Sequence, residues 1–378
     1  MNKYQFSAKS WMWDELDKRK ELYTRLFAGQ SVPFLPVEIR IATPKYTARD
    51  YYESAEKQLE DSLESARLTW SLQDKTDHIP ALVPDVGCSC LATAFGAEYY
   101  MGDDADQTAG IKEAPITDLA AQIEQLSVPE LRQSKWLAEG LSRITMFTQA
   151  GSGLLPVSGL DAAGGLNVAA DLLGITELIM LMVDEPEALH KLLSIIQETY
   201  LTLIEAEAQA AGGLEHMTTT DFYAGWAPDG YKGHCSDDIS AMISPQMYRE
   251  FSAPYNAMVY ERYGAGGLHN CGPNPCQQEY VAHQFSPRYL DLSEKYSMHD
   301  LPELKKSLRK KAFLRFGSEY TDPDVIVKTY RQYMELLAPD VILIPAYTLA
   351  DIDEGRDLYD RLHPIAVEYA SRMDFGFA

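Results

Sequence analysis

A histidine and a cysteine stand two residues apart in the segment Gly266-Gly267-Leu268-His269-Asn270-Cys271-Gly272-Pro273. The segment is typical of a short strand that ends in a sharp turn. Since alternate residues of a strand point to the same side, His269 and Cys271 are expected to project together beyond the strand. Imidazole and thiolate are ligands that zinc prefers, and a catalytic zinc needs three protein ligands and one open position. Taken alone, such a pair is more often a half-buried histidine beside a structural cysteine.

Short apolar runs alternate with long amphipathic segments along the chain, and one of these runs carries the pair. The runs predicted as strands are Phe34–Arg40, Ile79–Pro84, Leu154–Ser158, Glu215–Asp221, Gly267–Cys271, Tyr289–Leu292, Phe313–Gly317 and Val341–Pro345. Strand–helix alternation repeated eight times is typical of a (β/α)8 barrel, the TIM barrel of the α/β class. A doubly wound open sheet is the competing architecture.

Helix start signals lie between the predicted strands. These signals are Thr47, Asp184 with Pro186, Ser244-Pro245 and Asp322-Pro323. The helix that opens at Asp184 is expected to end near Ala211, where two glycines follow. No linker, repeat or low-complexity tract interrupts this order. We therefore predict a single domain, with an amino-terminal helical extension over residues 1–31 and the barrel over residues 32–378.

Polar residues follow the predicted strands at the end of the barrel where TIM-barrel active sites lie. They are Asp85, Ser158, Asp161, Asp221, Asp291, Ser293, Glu319 and Tyr347, together with His269 and Cys271. Because the carboxyl ends of parallel strands meet at one end of a barrel, these side chains are expected to converge. The segment over residues 99–126, rich in Gly, Asp and Thr, is predicted to leave the barrel and to overhang this end.

The composition excludes several classes of protein. The formal net charge of the 378-residue chain is −23 and no basic stripe is evident, which argues against binding to nucleic acid or to anionic membranes. No segment is apolar and long enough to cross a membrane, and the amino terminus lacks the apolar run of a signal peptide, so a cytoplasmic location is expected. Five cysteines, an odd number, favour thiols or metal ligands over a disulfide framework.

A series of motifs relates the chain to a known family. The motifs are Pro156-Val157-Ser158-Gly159-Leu160-Asp161, Ala170-Asp171-Leu172-Leu173-Gly174-Ile175, Ser236-Asp237-Asp238-Ile239-Ser240-Ala241-Met242-Ile243-Ser244-Pro245, Phe251, Pro254-Tyr255 and Leu268-His269-Asn270-Cys271-Gly272. From about Asp77 onward, the chain resembles the uroporphyrinogen decarboxylase superfamily. That superfamily also contains the corrinoid-protein methyltransferases, which pass methyl groups to thiols or folates. The resemblance implies the same TIM barrel.

The decarboxylase branch of this superfamily uses an arginine-rich segment, Arg-Gln-Ala-Gly-Arg, to hold a substrate that bears eight carboxylates. The first fifty residues of this chain offer only the scattered Arg19, Arg25, Arg40 and Arg49. Bidentate arginine is the carboxylate clamp that such a substrate needs, so the missing segment argues against decarboxylase activity. Asp85 could correspond to the aspartate that the decarboxylases place after an early strand, although the spacing that follows it differs.

The methyltransferase branch, by resemblance, implies a zinc site made of a His-x-Cys pair and a further cysteine near the last strand. His269 and Cys271 match the pair, whereas the last predicted strand contains no cysteine. Cys276, five residues past Cys271, is the closest replacement, and Cys235 is a second candidate. Zinc would lower the pKa of a substrate thiol and favour the thiolate, which is the nucleophile that accepts a methyl group.

The resemblance therefore favours a methyltransferase that moves a methyl group between a corrinoid protein, which carries the cobalamin, and a small thiol, folate or methylated substrate. Asp237 and Asp238 are expected to orient the substrate or the metal. Asp85 and Asp221 are expected to line the pocket. Two alternatives stay open: a carboxy-lyase that acts on a tetrapyrrole, and a non-catalytic binder of a tetrapyrrole or of a corrinoid protein.

Overall fold

The computed structural model describes residues 4–101, 104–105, 107–222, 225–318 and 320–376. A parallel sheet surrounded by helices forms its centre, which confirms the predicted α/β barrel. Glu319, the polar residue predicted to follow the seventh strand, lies outside the described residues.

Most of the predicted strands are present as regular strands. The strands of the described chain are β1 (Glu38–Ile41), β2 (Tyr99–Tyr100), β3 (Gly110–Ile111), β4 (Gly233–Ser236), β5 (Ala265–Asn270), β6 (Tyr289–Ser293), β7 (Phe313–Gly317) and β8 (Leu343–Leu349). Six of them form a parallel sheet in the order β1-β8-β7-β6-β5-β4. The short strands β2 and β3 pair with each other in the segment that was predicted to leave the barrel.

Three predicted strands are not regular strands, which corrects the expectation of eight. Leu82, Val157 and Met217 form single parallel bridges, each with the next. The Thr220 amide donates to the Lys232 carbonyl at 2.9 Å, just before β4. Strand β4 itself was not predicted from the sequence. Hydrogen bonds therefore continue around the barrel. One half, from β4 through β8 to β1, is a continuous sheet, and we call it the regular half. The other half is held by isolated contacts, and we call it the irregular half.

Side chains replace a neighbouring strand along one edge of β1. The donor–acceptor pairs are Val37 with Asp77, Ile39 with Thr76 and Ile41 with Thr69, at N···O distances of 2.9, 2.9 and 3.0 Å. All three acceptor residues are buried. Because buried backbone donors need partners, these side chains supply on this edge the hydrogen bonds that β8 supplies on the other.

The helices surround the strands. They are α1 (Ser10–Phe27), α2 (Ala48–Glu53), α3 (Ala55–Trp70), α4 (Leu119–Gln122), α5 (Lys135–Ala150), α6 (Gly165–Leu173), α7 (Ile175–Asp184), α8 (Pro186–Ala211), α9 (Pro245–Phe251), α10 (Ala253–Tyr263), α11 (Glu294–Ser297), α12 (Leu301–Leu308), α13 (Pro323–Leu337) and α14 (Ile352–Arg372). The left-handed Gly212 ends α8, as the sequence predicts. The helix predicted from Thr47 is broken at Ser54, whose extended backbone and hydroxyl cap α3.

Helix α1 closes the amino-terminal end of the barrel. Its last residue, Phe27, packs against Tyr231, Tyr289 and Phe313, with ring centroids 5.3, 5.8 and 5.1 Å away. The buried Arg19 donates to two backbone carbonyls on the loop that leads into the irregular half. The carboxyl-terminal end of the strands, where polar side chains were expected to converge, lies opposite this aromatic cluster.

No single helix in the described ranges is long and apolar enough to cross a membrane. Helices α6 and α7 meet the length and composition criteria only when taken together, and they bend by 106° at their junction. Both helices pack against α8 on the outside of the barrel.

Candidate functional site

A cavity of about 910 Å³ opens at the carboxyl-terminal end of the strands. Successive strands of the regular half contribute Ser236, His269, Asp291 and Arg315 to its lining. Residues 111–114, which belong to the segment that leaves the barrel, form another part of the wall. The volume suits a small-molecule substrate.

Three side chains bring potential metal ligands together in this cavity. Asp238, His269 and Cys271 offer a carboxylate oxygen, an imidazole nitrogen and a thiol sulfur that all lie within 4.8 Å of one another. Alternation along the end of β5 directs His269 and Cys271 to the same side, as the spacing predicts. A set of nitrogen, sulfur and oxygen donors that is open to a cavity fits a catalytic zinc with one free position.

Asp238 is held toward the pair by hydrogen bonds to both of its oxygens. The backbone amide of Cys271 donates to Oδ1 at 2.9 Å, and Asn167 Nδ2 on α6 donates to Oδ2 at 3.0 Å. The same Asn167 accepts from the Ile239 amide through Oδ1, at 3.2 Å, so its orientation is fixed as well. Asp238 Oδ1 lies 3.9 Å from His269 Nε2. The carboxylate is therefore in place before any ligand binds.

A chain of charged side chains, Asp291, Arg315 and Glu38, orients His269 from the interior of the barrel, and we call it the ionic chain. His269 Nδ1 lies 2.8 Å from Asp291 Oδ2, and Arg315 Nη1 donates to Asp291 Oδ1 at 2.9 Å. Arg315 also donates to Glu38 Oε2, through Nε at 3.0 Å and Nη2 at 2.8 Å. The Tyr23 hydroxyl donates to Glu38 Oε1 at 2.7 Å. Because Asp291 occupies Nδ1, the other ring nitrogen, Nε2, is left to face the other two potential metal ligands. We call Asp238, His269 and Cys271 the ligand group.

These contacts shift the protonation of both ends of the chain. Burial by itself would lower the pKa of His269, but hydrogen bonds to Asp291 and Cys271 raise that pKa well above its ordinary value. Burial by itself would raise the pKa of Glu38, but the guanidinium beside it lowers that pKa well below its ordinary range. A metal ion would have to displace the proton of His269, so its binding is coupled to pH.

Carboxyl groups form another part of the lining. Asp161, Asp171 and Glu113 line the cavity, and we call these three residues the acidic wall. Burial raises the pKa of Asp161 well above its ordinary value, and the nearby carboxylates of Asp221 and Asp85 raise it further. Burial also raises the pKa of Asp171 to about 6.

Comparison with known proteins places this geometry in a family. The family model for uroporphyrinogen decarboxylase (URO-D) matches residues 18–283, which is more than half of the chain. The chain belongs to the uroporphyrinogen decarboxylase family. Among solved structures, a methyltransferase from Methanosarcina mazei is similar, with a TM-score of 0.65 and 18% identity, covering 91% of this chain and 98% of that one. At this identity the likeness shows a shared fold. No curated protein sequence matches the chain.

The third ligand predicted for this member of the URO-D family needs correction. The Cys276 thiol is buried and lies 3.3 and 3.5 Å from two backbone carbonyl oxygens, away from the pair. Cys235 is buried within β4 on the side opposite Ser236, which lines the cavity. Neither thiol reaches the ligand group, and the carboxylate of Asp238 stands there instead.

The role predicted for Asp237 is also corrected. Its carboxylate accepts hydrogen bonds from Ser252 Oγ and from Asn256 Nδ2, the latter at 3.0 Å, where α10 begins. It is buried there, outside the cavity lining, and burial raises its pKa to about 6. Both residues lie in the turn that follows β4, where contacts with α10 hold Asp237 among the helices and Asn167 of α6 holds Asp238 at the cavity.

Asp221 and Asp85 lie behind the cavity rather than in its lining, which corrects the expectation for both. Asp221 is completely buried and accepts a hydrogen bond from Ser236 Oγ at 3.1 Å. Asp85 lines a second cavity of about 460 Å³, which shares Phe222 with the first. Both carboxyl groups lie close enough to Asp161 to raise its pKa.

Sequence reasoning missed two residues that position the site, Asn167 and Arg315. Arg315 carried a usable signal, because it is the single charged residue in the apolar run Phe313–Gly317 and strands of a parallel barrel are covered on both faces. Asn167 carried none, since its contact with Asp238 depends on how α6 packs over the strand ends.

Proposed function

We propose that the protein is a methyltransferase that moves a methyl group between the cobalamin of a corrinoid protein and a small thiol, folate or methylated substrate. Membership of the URO-D family and a fold shared with a methyltransferase from Methanosarcina mazei support this proposal. The observation that carries it is the convergence of Asp238, His269 and Cys271 on one cavity.

We propose zinc as the ion that these three residues hold. A zinc ion bound there would act as a Lewis acid that lowers the pKa of a substrate thiol. Asp238 contributes one negative charge, as a thiolate would, so a His-Cys-Asp set keeps the ligand charge of a His-Cys-Cys set. The carboxylate thereby compensates for the missing last-strand cysteine without a change in the charge of the site.

The remaining residues of the site have positioning roles in this proposal. Asp291 and Arg315 hold the imidazole of His269 so that Nε2 faces the cavity. Asn167 holds the carboxylate of Asp238 beside it. Such hydrogen-bonded partners of ligands raise metal affinity because they remove the entropy of orienting each ligand on binding. The exposed Cys271 lies where a substrate would enter the cavity.

Carboxy-lyase activity on a tetrapyrrole ranks second because cations are scarce around the cavities. Of the described residues that line the two cavities at this end of the barrel, the arginines are Arg315 and Arg40. Arg315 is already bound to Asp291 and Glu38, and this leaves Arg40 and Lys112 to hold carboxylates. A substrate with many carboxylates needs several such donors.

Metal analysis of the purified protein tests the proposal most directly. Protein purified without chelator and offered zinc is expected to contain about one zinc per chain, as one three-ligand site requires. The Cys271→Ser variant is expected to contain almost none, with unchanged circular dichroism. Stoichiometric zinc in Cys271→Ser, or no zinc in the wild-type protein, would show that the proposed metal site is wrong.

Two matched variants decide the third ligand. Asp238→Asn is expected to weaken zinc binding about 100-fold, because it removes a charged ligand, while Cys276→Ala should leave the zinc affinity unchanged. Competition with a chromophoric chelator measures both affinities. The reverse result would return the ligand role to Cys276.

Methyl transfer itself is measured with free methylcobalamin and a small thiol, by the change in absorbance as the cobalt–carbon bond is lost. The zinc-loaded wild type is expected to accelerate the reaction, and Cys271→Ser is expected to abolish the acceleration. Formation of coproporphyrinogen from uroporphyrinogen by the same preparation would reverse the ranking and favour the carboxy-lyase.

A further inference from the structure

We propose that the acidic wall, Asp161, Asp171 and Glu113, binds a positively charged group of the substrate, namely a protonated or quaternary ammonium. This inference rests on the proposed function, because the ammonium would belong to the small molecule that gives or accepts the methyl group beside Cys271. It narrows the substrate from any thiol, folate or methylated compound to an organic cation.

The charge balance of the cavity carries the first step. Of the described lining residues, Lys112 and Arg315 bear fixed positive charges. Arg315 is engaged by Asp291 and Glu38. Lys112 points its ammonium to Glu98, with Nζ 3.9 Å from Oε2. The carboxyl groups of the acidic wall form no salt bridge with a cation in the described part of the chain, although the charge of His269 acts on Asp161. Acidic side chains therefore outnumber basic ones in the lining of the cavity.

Asp161 carries the second step. Its side chain is half-buried, lines the cavity and accepts no hydrogen bond from the residues that the structure describes. Two further carboxyl groups, Asp221 and Asp85, lie close behind it. Burial and these neighbours raise the pKa of Asp161, so the carboxyl group ionises more readily when positive charge lies beside it. A cationic ligand that enters from the cavity would supply that charge and favour the carboxylate.

The spacing of the carboxyl groups argues against an inorganic cation. Within the described ranges, the group whose ligand atoms lie within 4.8 Å of one another is Asp238, His269 and Cys271, and the acidic wall forms no such group. A compact metal ion needs closely spaced oxygens at about 2.0–2.6 Å. An ammonium group with alkyl substituents spreads its charge over a larger volume and can face carboxylates that stand apart.

Apolar side chains interleave with the acidic wall. Phe222, Ile111, Ile175 and Ala170 line the same cavity. Such side chains suit the methyl or methylene groups of an alkylammonium, and an aromatic ring such as Phe222 attracts a cation to its face. A cavity that combines carboxylates with apolar walls is unsuited to an anionic substrate.

Three probes of one shape and different charge test the inference by isothermal titration calorimetry. Choline is the cation, 3,3-dimethylbutan-1-ol is its neutral isostere, and 3,3-dimethylbutanoate is the anion. On zinc-loaded wild-type protein at fixed ionic strength, choline is expected to bind at least about tenfold more tightly than the alcohol, and the anion least tightly. Equal binding of choline and the alcohol, or tighter binding of the anion, would overturn the inference.

Matched variants separate the acidic wall from the overall charge of −23. Asp161→Asn is expected to reduce the preference for choline over the alcohol to about twofold or less, because the carboxyl group that would ionise beside the bound cation is lost. Asp184→Asn removes the same charge from an exposed position outside the cavity lining and should leave the preference unchanged. An equal loss in both variants would assign the preference to the general field of the protein.

Two further measurements keep the result interpretable. The exposed Glu113→Gln, which does not disturb a buried contact, should lower choline affinity even if Asp161→Asn fails to fold; an unchanged affinity there would count against the acidic wall. Zinc content is measured for every variant. If the protein prefers choline but contains no zinc, the role of the acidic wall is supported and the proposed metal site is refuted. If the protein contains zinc but does not prefer choline, the role of the acidic wall alone is refuted.

Discussion

The two halves of the barrel are built differently and hold different kinds of functional group. In the half from β4 through β8 to β1, neighbouring strands pair through continuous backbone ladders. In the other half, single bridges at Leu82, Val157 and Met217 join the segments. The ligand group and its ionic chain come from the regular half or its edge. The half-buried carboxyl groups Asp85 and Asp161 come from the irregular half.

This difference shows what each kind of backbone can hold. Asp291 is the register partner of His269 on one side and of Arg315 on the other. Cross-strand register places such neighbours in contact, so the ladder itself sets the hydrogen bonds that orient His269. The irregular half lacks such a ladder, so no cross-strand neighbour fixes its carboxyl groups. These groups can face a cavity instead. The proposed metal ligands therefore lie in one half, and substrate recognition is proposed for the other.

The largest effect is expected from breaking the ionic chain of the regular half. Arg315→Met should lower the free energy of unfolding by about 3 kcal/mol, because Asp291 and Glu38 would be left as buried charges without their cation. It should also weaken zinc binding about tenfold, since His269 loses its fixed orientation. Urea unfolding of the metal-free protein and chelator competition measure the two effects.

The same substitution at an exposed arginine provides the control for that test. Arg309 is mostly exposed and pairs with Asp340 on the surface. Arg309→Met should change the free energy of unfolding by less than about 1 kcal/mol and leave zinc affinity unchanged. If Arg315→Met were equally mild, the ionic chain would have no positioning role and the two halves would not differ in this respect.

A pH-dependent effect is expected where the irregular half meets β1. Burial raises the pKa of Asp77 from its ordinary value of 3.8 to about 7, against the opposing charge of Arg19. The folded protein therefore holds a proton there that the unfolded chain has released, and stability falls as pH rises from about 4 to about 7. Asp77→Asn removes this titration and can still accept the hydrogen bond of Val37.

The measurement is the melting temperature of Asp77→Asn minus that of the wild type. This difference should be more positive at pH 8 than at pH 5. The exposed Asp74→Asn serves as the control, and its difference should not change with pH. A pH-independent difference for Asp77→Asn would mean that the Asp77 carboxyl stays ionised in the folded protein. The edge of β1 beside Asp77 would then be more accessible to water than the regular sheet.

The smallest effect concerns one side chain that replaces a strand. Thr69→Val keeps the shape of the residue but removes the acceptor for the Ile41 amide, so the free energy of unfolding should fall by about 1 kcal/mol. Thr202→Val, on the exposed face of α8, loses only a bond to its own helix and should be almost neutral. Urea unfolding compares the two, and equal losses would show that Ile41 finds another acceptor.

The sequence by itself determined the barrel and the pair at its centre. Strand–helix alternation depends on local periodicity, and the helix signals at Asp322 and Gly212 act within one turn, so both can be read without tertiary contacts. The placement of His269 and Cys271 on one side follows from strand geometry alone. The motif Gly233–Ser236 escaped prediction because its short mixed run has no apolar periodicity, and pairing with β5 makes it a strand.

Only the tertiary structure decided the third ligand and the nature of the pocket. Asp237 and Asp238 are identical in type and adjacent, and the packing of α6 and α10 determines which one enters the cavity. Cys276 was the nearest thiol along the chain, yet the fold turns it toward backbone carbonyls. Distances between side chains far apart in sequence depend on how helices pack over strand ends, and no local pattern of residues encodes that arrangement.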